Sequence, residues 1–145
     1  MAKIIVSGCL LGCSCRYKGD GCRHEGVLAL AEKHQLIPVC PEQMGGLTTP
    51  RLPSERVGDH VVMKDGRDVT EEYDKGAHMA LYLAQTLKAD FAVLKAKSPS
   101  CGHGLIYDGT FTGNKIPGNG VTAELFEKNG IPVFSEEELD RIPEL

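Results

Sequence analysis

Ile4-Ile5-Val6-Ser7-Gly8-Cys9 carries a short apolar run directly into a cysteine. The pattern returns twice. Leu36-Ile37-Pro38-Val39 ends on Cys40, and Phe91-Ala92-Val93-Leu94 passes through Lys95-Ala96-Lys97 to Ser98-Pro99-Ser100-Cys101. Short continuous apolar runs bounded by turn residues read as strands buried on both faces. Segments of helical periodicity lie between them. Residues 27–35 place Val27, Leu28, Leu30 and Ala31 on one face. Residues 70–88 repeat Tyr73, Ala77, Ala80, Leu81, Ala84 and Leu87 at helical steps, with acids in the first turn. Such alternation builds a parallel sheet through right-handed crossovers, with helices on both faces. The expected architecture is a small three-layer (αβα) Rossmann-like α/β fold, with a parallel sheet of about four strands plus a small hairpin. Its strands end at one edge, where open α/β sheets hold ligands, so three thiols remote in sequence meet at one crevice.

The remaining segments fill in this plan. Gly8 to Arg23 is a Gly/Cys-rich loop. Residues 41–56 hold Pro41, Pro50, Pro53 and the pair Gly45-Gly46, and read as a long irregular binding loop. His60-Val61-Val62-Met63, Asp65-Gly66 and Asp68-Val69 suggest the hairpin, turned at Asp-Gly. Asp68 and Glu71 have capping-box spacing, as do Ser135 and Glu138 before the last helix. Gly102 to Gly120 reads mostly as loop. Val121 to Lys128 reads as a helix stopped by Asn129-Gly130, and Ile131 to Phe134 as a fourth strand.

A chain of 145 residues is expected to form a single domain, residues 1–145, with a real core. Net charge is −4, which provides no basic field for polymeric nucleic acid. Met1-Ala2-Lys3 enters a strand without a signal-peptide core, and no apolar stretch approaches the roughly 18 residues of a membrane helix. A cytoplasmic location is expected. Six cysteines in a reducing compartment point to metal ligands or reactive thiols rather than disulfides.

Cys9, Cys40 and Cys101 are the leading chemical constellation. Three thiolates can hold zinc with a water in the fourth position. They can equally hold three irons of a cubane cluster and leave the fourth open. Strand-end cysteines also pack as small apolar residues, and position alone does not choose among these. Cys13, Cys15 and Cys22 match neither the ferredoxin nor the zinc-ribbon spacing and read as spare loop thiols. Glu42, just past Cys40, is a candidate general base. Ser98 and Ser100 can orient a substrate, relay a proton or cap the turn stiffened by Pro99. Arg16, Lys18, Arg51, Arg56 and Lys97 all fall in loops at the ligand edge, with His24 and His103 nearby.

Three motifs in order resemble a known family. They are Ser7-Gly8-Cys9-Leu10-Leu11-Gly12 with Arg16-Tyr17-Lys18-Gly19, Cys40-Pro41-Glu42-Gln43-Met44-Gly45-Gly46-Leu47 continuing through Pro50-Arg51-Leu52-Pro53-Ser54-Glu55, and Leu94 through Gly102. The chain resembles the DUF523 family, which includes the thiouracil desulfidases, over essentially its whole length. Two departures, Cys13 and Lys18 in place of an acidic residue, touch the mouth of the site rather than its ligands.

The resemblance implies an oxygen-independent desulfidase with a [4Fe–4S] cluster on Cys9, Cys40 and Cys101. The fourth iron takes the thiocarbonyl sulfur of a thiolated pyrimidine base, nucleoside or nucleotide. Glu42 activates the attacking water and Ser98 assists. Arg16, Arg51, Ser100 and Lys97 are candidate substrate contacts. Hydrosulfide leaves and an oxo base remains, with no external electron donor. Two other readings use the same three cysteines: a non-catalytic iron–sulfur or zinc-binding protein, and a zinc hydrolase.

Overall fold

The computed structural model describes residues 1–143. Four strands form the main sheet: β1 (Lys3–Ser7), β2 (Gln35–Val39), β5 (Phe91–Leu94) and β8 (Val133–Ser135). Their order is β2-β1-β5-β8, and every pair is parallel, with Ser7 beside Val39, Val6 beside Val93 and Leu94 beside Ser135. The chain moves outward from β1 to β2 and then returns to the other side of β1. The strand order therefore reverses between β1 and β5, the switch point at which α/β sheets open a crevice.

Both faces are covered, as the unbroken apolar runs require. Ile5, Ala92, Leu94 and Val133 face α3 (Thr70–Thr86) and α4 (Val121–Lys128), meeting Ala80, Ala84 and Phe126. Ile4, Val6, Phe91 and Val93 turn the other way onto Leu10 and onto Val27 of α1 (Glu25–Ala29). The three-layer fold is the expected one. The helix expected over 27–35 is shorter, because α1 tightens into a 3₁₀ turn at Leu30–Glu32 and Gln35 already joins β2.

The segment 41–56 is not irregular throughout. Pro41 begins a short helix, α2 (Pro41–Met44), at the position where a missing N–H costs nothing. A Cβ on Gly45 would strike the Glu72 carbonyl, and one on Gly76 the Pro41 carbonyl. Gly45 thus lets α2 lie on α3 rather than a backbone lie on a ligand. Ser54–Val57 forms β3 and pairs antiparallel with β4 (His60–Met63). The hairpin partner of β4 is therefore β3, and the Asp68 side contributes a single bridge from Val62. Asp68 accepts the Thr70 N–H at 2.9 Å without the reciprocal bond from Glu71, whereas Ser135 and Glu138 form the full capping box. Within 102–120, β6 (Leu105–Tyr107) and β7 (Lys115–Pro117) form a second hairpin.

Candidate functional site

A cavity of about 560 Å³ opens at the carboxyl edge of β1, β2 and β5. Cys9, Cys40 and Cys101 all line it, as do Glu42, Ser98 and a further cysteine, Cys15. Each ligand candidate arrives by a local device. Cys9 lies in the 3₁₀ turn Gly8–Leu11 that directly follows β1. Cys40 precedes Pro41 at the head of α2. Cys101 closes the turn Ser98–Cys101, in which Ser98 Oγ accepts the N–H groups of Ser100 at 3.1 Å and Cys101 at 3.0 Å.

The thiols lie in poorly hydrated surroundings. Burial pushes Cys101 up to about 12 against the opposing hydrogen bond from Ser7. The contact with Cys15 and then burial push Cys40 well above the ordinary thiol value. For Cys15 the contact with Cys40 pulls down, but the contact with Cys9 and burial prevail, giving about 11. Protonated, close thiols of this kind give up their protons when a thiophilic cation binds. Lys95 keeps its charge: burial opposes it, yet the 2.9 Å ion pair with Glu136 raises its pKa, so an ammonium stays at the cavity wall.

Glu42 is held at both oxygens. Tyr73 donates its hydroxyl to Oε1 at 3.0 Å. Arg51 donates to Oε2 through Nε at 3.1 Å and through Nη2. Two donors fill Oε2, so one acceptor site remains on Oε1. The remaining N–H groups of Arg51 go to the carbonyls of Thr48 and Cys15, both at 3.1 Å, and to Thr49 Oγ1 at 3.0 Å. With all its donors engaged, Arg51 positions Glu42 and has none left for a substrate. Ser100 does not line the cavity; it is buried, and its hydroxyl pairs with Thr122 at 2.8 Å. Arg16 and Lys97 do line it, in partly exposed ion pairs with Asp20 at 3.5 Å and Glu137 at 3.3 Å. Among the other loop residues singled out, Arg56 is paired with Glu124, His24 caps α1 and His103 pairs with Glu138.

Among the described residues, no three Cys, His, Asp or Glu side chains gather as ligands to a single metal ion. Cys9, Cys40 and Cys101 reach one cavity from the ends of three different strands. A cubane carries each protein thiolate on a different iron, so thiols from three strand ends fit a cluster.

A model of the 2-thiouracil desulfurase family matches residues 4–138. The chain belongs to that family. It is similar, at 43% identity over 96% of its length and 99% of the relative's, to the uncharacterized protein YbbK of Bacillus subtilis (strain 168). It is similar in structure, with a TM-score of 0.91 and 47% identity, to the [4Fe-4S]-dependent thiouracil desulfidase TudS (DUF523Vcz), covering 97% of this chain and 94% of that one.

Three residues of this desulfurase-family cavity escape the sequence reading. Tyr73 reads as one member of the apolar stripe of α3, since periodicity reports a buried ring and not what its hydroxyl meets. Ser7 ends β1, where its Oγ accepts the Lys95 N–H at 2.9 Å and so ties β1 to the chain leaving β5. Cys15, read as a spare thiol, is buried in the site because its carbonyl is bound by Arg51. Only the spacing of the second motif from the first could have hinted at that tie.

Proposed function

We propose that the protein is a desulfidase that hydrolyses the C=S bond of a thiolated pyrimidine, with a [4Fe–4S] cluster on Cys9, Cys40 and Cys101. The observation that carries this reading is Glu42: a carboxylate with one acceptor site free, fixed in the same cavity as the three strand-end thiols. Family membership and the likeness to a [4Fe-4S]-dependent thiouracil desulfidase support it. A zinc hydrolase would need its three ligands to converge on one ion, and among the described residues no three side chains do so.

When bound, the cluster supplies a thiophilic Lewis acid that makes the thiocarbonyl carbon electrophilic. The chain does the rest. Glu42 Oε1 holds a water and takes its proton as the oxygen attacks the ring carbon. Tyr73 and Arg51 keep the carboxylate aimed, so no reorganisation is needed at the moment of reaction. Ser98 Oγ already accepts two N–H groups, so its remaining capability is to donate its own proton into the cavity. Thiobase and water give oxo base and hydrosulfide with no change in overall oxidation state. The volume of about 560 Å³ lies in the range of small-molecule sites and has to hold both the cluster and the thiolated base. Arg16 and Lys97 can exchange their partly exposed ion pairs for the phosphate of a nucleotide substrate.

Anaerobic reconstitution followed by hydrosulfide assay on 2-thiouracil, 4-thiouracil and 4-thiouridine phosphates tests the proposal. A brown protein with about four irons that releases hydrosulfide and the oxo base is the expected result. A colourless protein holding one zinc, or a brown one inert on all of these substrates, would overturn it.

A further inference from the structure

Phe111 occupies the tip of the β6–β7 hairpin with a left-handed backbone, φ +58°. That conformation is uncommon for a bulky side chain and calls for outside support. Glu55 supplies it. This carboxylate on β3 is only 9% exposed, and its Oε1 accepts the N–H groups of Gly109 at 2.9 Å and Phe111 at 3.1 Å. Gly109 is pressed so closely on β3 that a Cβ there would strike the Val57 side chain. Asp108 braces the same tip, accepting from Thr110 N–H at 2.9 Å and Asn114 Nδ2 at 2.9 Å.

The ring held by this clamp joins none of the apolar clusters of the fold among the described residues. It lines the cavity instead, with the three strand-end thiols and Glu42. Of the other aromatic rings there, Tyr73 is buried in the stripe of α3 with its hydroxyl on Glu42, and two have cationic neighbours. Tyr17 meets Arg16 and Lys18, and Tyr107 meets Lys115, at 5.8–5.9 Å. Phe111 has no aromatic or cationic partner among the described residues. Its flat apolar face is what a pyrimidine ring stacks on.

We propose that Phe111 is the platform against which the substrate's ring stacks, and that Glu55 is the positioning residue that holds it there. The inference rests on the proposed thiopyrimidine substrate. The reconstituted holoprotein and its Phe111→Tyr, Phe111→Leu, Phe111→Gly, Glu55→Gln and Glu55→Ala variants are compared in two assays. Equilibrium dialysis against 2-thiouracil, with Glu42→Gln added to each protein so that the ligand is not consumed, reads stacking, and hydrosulfide release without that substitution gives KM and kcat. Phe111→Leu and Phe111→Gly are expected to weaken binding and raise KM about tenfold with kcat little changed, while Phe111→Tyr keeps both. Glycine also relieves the left-handed backbone, so its thermal midpoint does not fall and misfolding is separated from lost stacking. Glu55→Gln, which keeps an acceptor oxygen, should lie between the native protein and Glu55→Ala in KM. Unchanged binding and KM in Phe111→Gly overturn the platform and leave the desulfidase reading standing. Tight binding of 2-thiouracil with no hydrosulfide release from it, from 4-thiouracil or from 4-thiouridine phosphates sinks that reading, and the dialysis series then decides the platform alone. A holoprotein that neither binds 2-thiouracil nor releases hydrosulfide from it, from 4-thiouracil or from 4-thiouridine phosphates overturns both.

Discussion

The phenol of Tyr73 reaches from the buried stripe of α3 to Glu42 Oε1, 3.0 Å away, so a core residue of the longest helix also forms part of the cavity's polar chemistry. Tyr73→Phe keeps the ring in place and deletes one donor to the carboxylate. Turnover should fall about tenfold with iron content unchanged, as expected when a group that orients a catalytic base is lost. Glu42→Gln should lose a factor of about 10²–10⁴ with the cluster retained. Full activity in Glu42→Gln would remove Glu42 from the mechanism.

Arg51 cannot be replaced by lysine. The substitution leaves one ammonium to serve the Glu42 carboxylate, two carbonyls and a hydroxyl. Breaking so well buried a pair costs roughly 3–5 kcal/mol. Chemical denaturation of Arg51→Lys measures the loss, and a stability within error of the native protein would contradict this account.

Cysteine substitutions should divide sharply. Cys9→Ala, Cys40→Ala and Cys101→Ala are each expected to lose most iron on anaerobic reconstitution, whereas Cys13→Ala, at an exposed thiol, should keep about four irons. Cys15→Ala is the informative variant. Retention of the full complement places Cys15 beside the cluster, and loss of iron would make it a ligand and break the three-cysteine assignment.

Alkali should act through Tyr73. Burial, and then the adjacent Glu42 carboxylate, raise its pKa well above the ordinary 10.0. A group that binds its proton more tightly when folded favours the folded state below its unfolded pKa. That contribution declines above pH 10 at about 1.4 kcal/mol per pH unit until the folded value is reached. Denaturation midpoints of the native protein should therefore fall more steeply above pH 10 than those of Tyr73→Phe. Parallel curves would refute the effect.

Gly76→Ala places a methyl group against the Pro41 carbonyl and forces α2 away from α3. Overpacking of this kind costs about 1–3 kcal/mol, and here it also shifts Glu42, which α2 carries, and Cys40 just before it. Stability and iron content should both drop, and a loss of stability alone would show that α2 can move without disturbing the site.

The sheet was legible because a parallel strand buried on both faces is written as an uninterrupted apolar run. The thiols were legible because each closes such a run. Ser54–Val57 was hidden for the opposite reason: it is polar, follows Pro53, and turns Glu55 inward to bind the neighbouring hairpin. The proline-rich stretch before it was likewise read as irregular throughout, although Pro41 is where α2 begins. For Arg51 and Ser100 the sequence reports a charge or a hydroxyl, not how many partners it already has. Cys15 was hidden because its burial depends on the side chain of Arg51, far along the chain.

The order of strands across the sheet has a consequence for how the protein is made. On the proposed ligand set, a ribosome that has released residues up to β2 has exposed Cys9 and Cys40, but Cys101 emerges only after the crossover through α3 and β5. No early fragment can hold the complete cluster. On that ligand set the site is complete only once β5 has paired with β1 and brought Cys101 to the shared edge. In a folded chain, the opening proposed to admit the substrate would then also be the port through which iron and sulfide arrive.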